Sequence, residues 1–403
     1  MRLDSRSPPQ STLLTIGCTR YRKQAAGLGK ASFALAWVMD TGSEERERGV
    51  TVDIAQHHFS TPAADFTILD APGHRDFVPN MIGGASMADL AVLVVDANQL
   101  ESGMKGQTRE HVLLAKACGL RRVVVAVNKM DAETAGPWDE RVFKDVAAKV
   151  SKFLIEAGFA EGNVRVVPCS GLAGENVVKA AERSGPTAWV AKGYSSLLQE
   201  LEHAATSLTA VSEDEVKKPL RIQITDVFRG GVQNPLSVSG RLAAGNVQVG
   251  DSIVVQPSGE HAQIKGLEVA GEGRDWAVVG ELCTLHLTTD IEAQHLRSGD
   301  VLCAAASPVA VVKEFGVKVQ ALESLLPMGV DVHVGRLHVP GKIGVLVETL
   351  TAAGEVLKKR PRIVKEGQRA VVLIVLEEGA PVERGERVVL RREGGTVAAG
   401  RVM

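Results

Sequence analysis

Aromatic side chains are scarce in this sequence, at 4%, so its cores must be built mainly from Val, Leu, Ile and Ala. No apolar run approaches the ~20 residues that a membrane-spanning helix needs. The longest, around residues 90–95, is strand-sized. Positive charge is not in excess: 46 Lys and Arg face 48 Asp and Glu, for a formal net charge of −2. No global field draws nucleic acid, and any RNA contact must come from local basic clusters. The five cysteines (Cys18, Cys118, Cys169, Cys283 and Cys303) are odd in number, scattered, and form no CxxC pair. That pattern argues for reduced thiols rather than a disulfide framework or a zinc site. The opening MRLDSRSPPQ lacks the apolar core of a secretory signal, and Asp4 counts against a transit peptide. The expectation is a cytoplasmic protein.

What is present changes character near residue 212. Before it, apolar runs at 66–69, 90–95, 123–127 and 164–168 alternate with helical stretches at 108–118 and 140–157. Repeated strand, helix, strand order predicts a parallel sheet covered by helices. Ser212-Glu213-Asp214-Glu215, followed by Lys217, Lys218 and Pro219, reads as a polar linker. Beyond it come short alternating strands with Gly-rich turns, at 222–227, 236–242, 252–256 and 282–287. A second such run follows Ser307-Pro308 and ends at 387–402. The prediction is an α/β domain over 1–212, then two β-barrels over 213–306 and 307–403.

Three short motifs sit at predicted strand ends. Asp70-Ala71-Pro72-Gly73-His74 follows the run at 66–69. A carboxylate there can hold Mg²⁺ through water, and a glycine amide can approach a γ-phosphate with no Cβ in the way. A DxxG taken alone is usually just a turn; Pro72 and His74 sharpen it. Asn128-Lys129-Met130-Asp131 closes the run at 123–127. In nucleotide sites that spacing aims the Asp131 carboxylate at the guanine N1–H and exocyclic amine, a pair adenine cannot offer. An isolated NKxD is more often a solvated loop, and its place at a second strand end after DxxG is what points to guanine. The Lys129 stem packs along the base and Asn128 braces the loop. Ser170-Gly171-Leu172 would complete the pocket through backbone amides, although on its own it is a common helix-start turn. Residues 44–50 form a charged segment that is equally well a solvated helical face. Thr51, just after Gly49-Val50, suits a switch loop whose hydroxyl meets Mg²⁺ only when the γ-phosphate is present.

In this order the motifs resemble the elongation factor one-alpha superfamily of translational GTPases, from about Tyr21 to Val402. The likeness also takes in residues 29–33, 36–40, 45–53, 80–82 and 106–111. Residues 31–34, 44–48 and 170–176 look most like the Hbs-type ribosome-rescue factors, and 81–86 is close to eukaryotic release factor three. Pro361-Arg362, Gly367-Gln368, Leu390-Arg391 and residues 395–400 resemble the shared third-domain pattern. The resemblance implies a P-loop-type GTPase domain followed by two β-barrel domains. It implies GTP and Mg²⁺ as ligands, with Thr51 and Asp70 serving the metal. His74 would orient the attacking water and Gly73 would sense the γ-phosphate. It also implies action on the ribosome with a Pelota-like or release-factor partner, and neither DNA nor a membrane as a target. Ribosomal RNA contact falls to Lys358-Lys359-Arg360, Arg362 and Arg391-Arg392, clusters that in other settings are merely solvated.

One expected element is missing. The family's phosphate-binding loop, GxxxxGK[ST], should precede Gly29, and no such pattern occurs. Gly27-Leu28-Gly29-Lys30 is a decoy, because Ala31 follows Lys30 and no glycine stands five residues before Gly29. Residues 11–17 read as the first strand, whereas residues from Thr19 onward already resemble the segment beyond the first helix. Two readings stand: the loop and first helix are absent from an otherwise collinear chain, or residues 12–16 are an unrelated apolar start. Losing four charge-assisted hydrogen bonds at about 1.5–3 kcal/mol each removes about 6–12 kcal/mol. That turns nanomolar binding into millimolar or weaker. A missing first helix would also expose apolar surface on the sheet. Three function classes follow: a ribosomal GTPase in incomplete form, a pseudo-GTPase adaptor docking through its barrels, and the large subunit of a sulfate adenylyltransferase. The termination-type third domain disfavours the last.

Overall fold

The computed structural model describes residues 54–71, 77–98, 107–132, 137–208, 211–230, 234–288 and 292–403. The chain divides into two compact units, 1–84 and 85–403. In the first unit, β1 (Ala55–Ser60) and β2 (Asp65–Asp70) form an antiparallel hairpin. Phe59 and Phe66 stack across it with ring centroids 4.9 Å apart. The register pairs Ala55 with Asp70, which puts Asp70 at the open end of the hairpin. Helix α1 (Val78–Met87) follows, with Val78 and Ile82 buried. A Cβ added at Gly84 would lie 3.3 Å from Ile54 and 3.6 Å from Ala71, so this glycine allows the helix to sit close on the strand ends.

In the second unit, β3 (Ala91–Asp96), β4 (Val123–Asn128) and β5 (Val164–Pro168) make a three-stranded parallel sheet with β4 in the centre. β4 has five consecutive buried residues, as a strand covered on both faces requires. Helices α2 (Gln107–Cys118) and α3 (Glu140–Glu156) join the strands. The Asp139 side chain caps α3 by accepting from the Arg141 amide at 2.8 Å, and Phe143, Val146, Val150 and Leu154 form its buried stripe. The scarce aromatics concentrate here. Phe143 meets Tyr194 at 4.9 Å and Trp189 at 5.5 Å between ring centroids, joining α3 to α4 (Ala188–Gly193). Helix α5 (Leu197–Thr206) opens with a capping box between Ser196 and Gln199.

Strand β3 is incompletely covered. Val92 and Val94 pair in register with the buried Val124 and Ala126, yet they remain 44% and 61% exposed. Burying a valine side chain is worth about 1.5–3 kcal/mol, so this bare strip forgoes stabilisation that β4 receives.

The predicted linker at 212–219 contains a turn of helix, α6 (Glu213–Val216), capped by Ser212. The Ser212 hydroxyl accepts from the Glu215 amide, which is why a polar stretch became helical.

Two closed six-stranded antiparallel barrels follow. The first contains β6 (Arg221–Gly230), β7 (Asn234–Ala244), β9 (Ser252–Gln256), β10 (Glu260–Val269), β13 (Leu282–Leu287) and β14 (Val301–Ala304). The order β10-β13-β7-β6-β14-β9 closes through β9 and β10. Short strands β8 (Asn246–Gln248), β11 (Glu272–Arg274) and β12 (Trp276–Val278) decorate it. The second contains β15 (Val311–Ala321), β16 (Met328–Val334), β17 (Leu337–Leu350), β19 (Arg369–Pro381), β20 (Arg387–Arg392) and β21 (Gly395–Val402). It closes through β16 and β17, with β18 (Val356–Lys359) paired outside on β17. Their cores are Val, Leu, Ile and Ala, with Cys283 in the first and Phe315 the one aromatic residue of the second. The low aromatic content predicts this composition.

The barrels are braced together. Arg221 donates to both carboxylate oxygens of Glu383 at 2.8 Å, Gln223 donates to the Val334 carbonyl, and Arg336 donates to the Thr225 carbonyl. The sheet domain meets the second barrel where Arg391 approaches Glu110 of α2 at 3.3 Å. Arg391 is 6% exposed. It is therefore packed inside the chain, a correction to its expected place in an RNA-facing cluster.

Candidate nucleotide site

The carboxyl ends of a parallel sheet are where its loops converge and where ligands are met. Here three such ends are tied together by specific bonds. Asn128 terminates β4, and its Oδ1 accepts from the Lys129 amide and from the Gly171 amide, both at 2.8 Å. The loop after β4 is thus fastened to the loop after β5. Backbone bonds reinforce the tie: Cys169 N–H donates to the Val127 carbonyl at 2.9 Å, and Met130 N–H donates to the Cys169 carbonyl. Met130 is fully buried and anchors the loop in the sheet's core. This places its neighbours Lys129 and Asp131 at the rim, Lys129 with a left-handed φ of 63°.

The Lys129 ammonium reaches Asp96 Oδ2 at 2.7 Å. Burial alone would push the Asp96 carboxyl up, but hydrogen bonds from Lys129 and Asn98 outweigh it and hold Asp96 below the usual carboxylate range. Cys169 is pushed up to about 11 by burial, with the Asp131 charge adding to the effect. Its thiol is therefore protonated and inert.

Ser170, Gly171 and Leu172 form a turn rather than a helix start. Ser170 is fully buried and bridges to Glu175, while Leu172 is 75% exposed. The Ser170 amide donates to the Glu175 carbonyl, and the Gly171 amide is held by Asn128. Two of the three amides expected to face a base are thus engaged within the protein. The buried Asn176, with φ 55°, supports the turn by donating to the carbonyls of Pro168 and Ser195.

Of the remaining predicted residues, Asp70 ends β2 in the first unit and Ala71 follows it, both partly buried. Thr51, Pro72, Gly73 and His74 lie outside the described residues, as do the expected first strand at 11–17, the decoy at 27–30 and the charged segment at 44–51. Reading the sequence missed Asp96 and Asn176. The signal for Asp96 was available: three apolar runs end in a polar residue, at Asp70, Asp96 and Asn128, and only two were singled out. Cys118, Cys169, Cys283 and Cys303 are all free thiols. Among the described residues no helix is long and apolar enough to cross a membrane.

Comparison with known proteins agrees with this geometry. Residues 12–213 match the elongation factor Tu GTP binding domain, and residues 329–403 match the elongation factor Tu C-terminal domain. Elongation factor 1-alpha of Picrophilus torridus is 37% identical, over 94% of this chain and 88% of its own length. Protein HBS1 of Drosophila melanogaster is 34% identical over 95% of this chain, which spans 58% of that relative's length. The elongation factor 1 alpha-like protein of Schizosaccharomyces pombe is 38% identical, over 94% of this chain and 64% of its own length. The elongation factor SelB of Methanococcus maripaludis, solved with a GTP analogue, shares the fold. Its TM-score is 0.68 at 21% identity, over 87% of this chain and 73% of that one. Sequence, barrels and strand-end motifs agree: the chain belongs to the EF-Tu/EF1-alpha family of translational GTPases.

Proposed function

We propose that this chain is a guanine-nucleotide-binding translation factor of the ribosome-rescue or termination type, in a form that lacks the phosphate-binding loop. It acts in the cytoplasm on the ribosome with a Pelota-like or release-factor partner. The observation that carries the nucleotide reading is the brace from Asn128 to Gly171, which holds Lys129 and Asp131 at the sheet's carboxyl edge. The likeness to HBS1 over nearly the whole chain supports the rescue type. Archaeal elongation factors match at slightly higher identity, so that finer choice rests on residues 31–34, 44–48 and 170–176. Domain boundaries at 212 and 306 accord with strands that begin at Arg221 and Val311.

The residues present suit the ligand unevenly. Asn128, Lys129, Met130, Asp131 and the Ser170-Gly171-Leu172 turn would hold the guanine base. Thr51 and Asp70 would hold Mg²⁺, with Ala71, Pro72 and Gly73 beside the γ-phosphate and His74 orienting water for hydrolysis. The sequence carries no GxxxxGK[ST] pattern, the motif that supplies amides, a lysine and a hydroxyl to the inner phosphates. One observation supports an internal gap over an unrelated apolar start: the family match begins at residue 12, ahead of the break. RNA contact is best placed at Lys358, Lys359, Arg360 and Arg362, all exposed on and beside β18.

The second reading, a pseudo-GTPase adaptor, is favoured by two closed, cross-braced barrels in a chain whose sequence carries no GxxxxGK[ST] pattern. A fluorescent GTP analogue titrated into the chain separates the two. The expected result is binding near millimolar, displaced by GDP and not by ATP. Micromolar or tighter binding would refute the crippled site, and equal displacement by ATP would leave the adaptor reading standing.

A further inference from the structure

We infer that Asp96 is a positioning residue of the base pocket, holding the Lys129 side chain across the carboxyl edge of the sheet so that the guanine-reading loop is preset before nucleotide arrives. The inference rests on the guanine-pocket reading of residues 128–131.

Asp96 is the last residue of β3 and pairs in register with Asn128, the last of β4. One more ladder bond, from the Ala97 amide to the Asn128 carbonyl at 3.0 Å, fixes the spacing of the two strand ends. Both carboxylate oxygens of Asp96 are committed. Oδ1 accepts from the Asn98 amide at 2.9 Å and from its side-chain nitrogen at 3.1 Å, while Oδ2 takes Lys129 Nζ at 2.7 Å. A carboxylate held at both oxygens cannot swing away, so it acts as a fixed anchor.

Lys129 needs such an anchor. Its backbone is in the left-handed region, a costly state for a residue with a Cβ, and one that persists only when the surroundings over-determine it. Asn128 Oδ1 holds its amide, the Lys129 carbonyl accepts from the Ala132 amide at 3.1 Å, and Asp96 holds its far end. Lysine is also among the side chains that lose most rotamer freedom on ordering. A lysine already tied at its ammonium presents its methylene stem as a ready shelf for a flat base, with less ordering left to do on binding. Asp96, Asn128 and Gly171 thus form a truss across all three strand ends, with Lys129 as its cross-member.

The test is a double-mutant cycle in the full chain: Asp96→Ala, Lys129→Ala and both together, with Asp96→Asn as the shape-preserving variant. Hydrogen exchange at the amides of residues 129–132 and 171 is followed without nucleotide, alongside the global unfolding midpoint. Either single change should speed exchange in these loops while leaving the midpoint nearly unmoved, and the double variant should exchange no faster than Lys129→Ala. Asp96→Asn should fall between. In the GDP titration, Asp96→Ala should weaken binding about three- to fivefold, with no further loss once Lys129 is Ala. Additive effects, or loop exchange indifferent to Asp96, would overturn the inference. A parent chain that shows no preference for GDP over ATP would sink the guanine reading instead, while the nucleotide-free exchange cycle still decides the role of Asp96.

Discussion

The Gly171 amide donates to the side-chain oxygen of Asn128 at 2.8 Å, so two loops 43 positions apart in sequence share one acceptor. Asn128→Ala removes that acceptor and also frees the Lys129 amide. The rim is partly solvated, so the cost falls at the low end for such bonds, about 1–2 kcal/mol. Urea unfolding of the sheet domain should report it. Gly171→Ala should cost less, since its Cβ would stand 3.4 Å from the Asn128 amide, tight but adjustable.

Gly400 tests the second barrel. It pairs with Val319 on one side and Val388 on the other, and a Cβ there would overlap the Lys318 carbonyl. Backbone cannot retreat as a side chain can, so Gly400→Ala should destabilise the barrel by about 1–3 kcal/mol or more. Gly329→Ala, where an added Cβ meets nothing within 4 Å, should stay within about 0.5 kcal/mol of the parent. Paired thermal melts of the two variants separate crowding from any general intolerance of alanine.

The brace between barrels rests on Arg221, whose side chain is 12% exposed and bonded to both oxygens of Glu383. Glu383→Ala strands most of a buried guanidinium, although Arg221 keeps the carbonyls of Leu220 and Ser307. A loss of about 1.5–3 kcal/mol is expected, with Glu383→Gln milder because one acceptor survives. Proteolysis between the barrels should quicken in parallel with the drop in chemical stability.

Acid and neutral pH should act on different residues of the second barrel. His333 is pushed down to about 3, first by burial and then by the neighbouring charges of His338 and Arg391. It is neutral when folded and protonated when unfolded between about 3 and 6.5. Its contribution is therefore complete above 6.5 and is lost as pH falls toward 3. Glu386 is shifted the other way, up to about 7, chiefly by burial and further by Glu383. Its contribution is complete below 4.5 and is lost as pH rises through 7. His333→Gln should flatten the acid side of the stability curve, and Glu386→Gln the side approaching neutrality. Urea midpoints measured from pH 4.5 to 7 check both, and unchanged slopes in either variant would remove that residue from the account.

Much of the fold was legible because strand boundaries follow from local pattern. The runs at 164–168, 252–256 and 282–287 coincide with β5, β9 and β13. α2 and α3 each differ by a single residue at one end. The polar stretch at 212–219 was harder to read, since one serine hydroxyl satisfying an amide turned a linker into a helical turn. Arg391 misled for a related reason: in sequence it belongs to a basic pair, and only the docking of α2 beside β20 shows that Glu110 and burial claim it.

Taken alone, the sequence determined the architecture and the family, and pointed to the residues proposed to read guanine, because hydrophobic period and motif spacing are local properties that survive without coordinates. Tertiary structure decided what those residues do to one another. It joined Asn128 to Gly171 and Lys129 to Asp96, engaged two of the three amides expected to face a base, and paired strands distant in sequence within each barrel, β6 with β14 and β15 with β21. Such contacts depend on register and on which strand ends lie side by side. Neither is written in any single stretch of the chain.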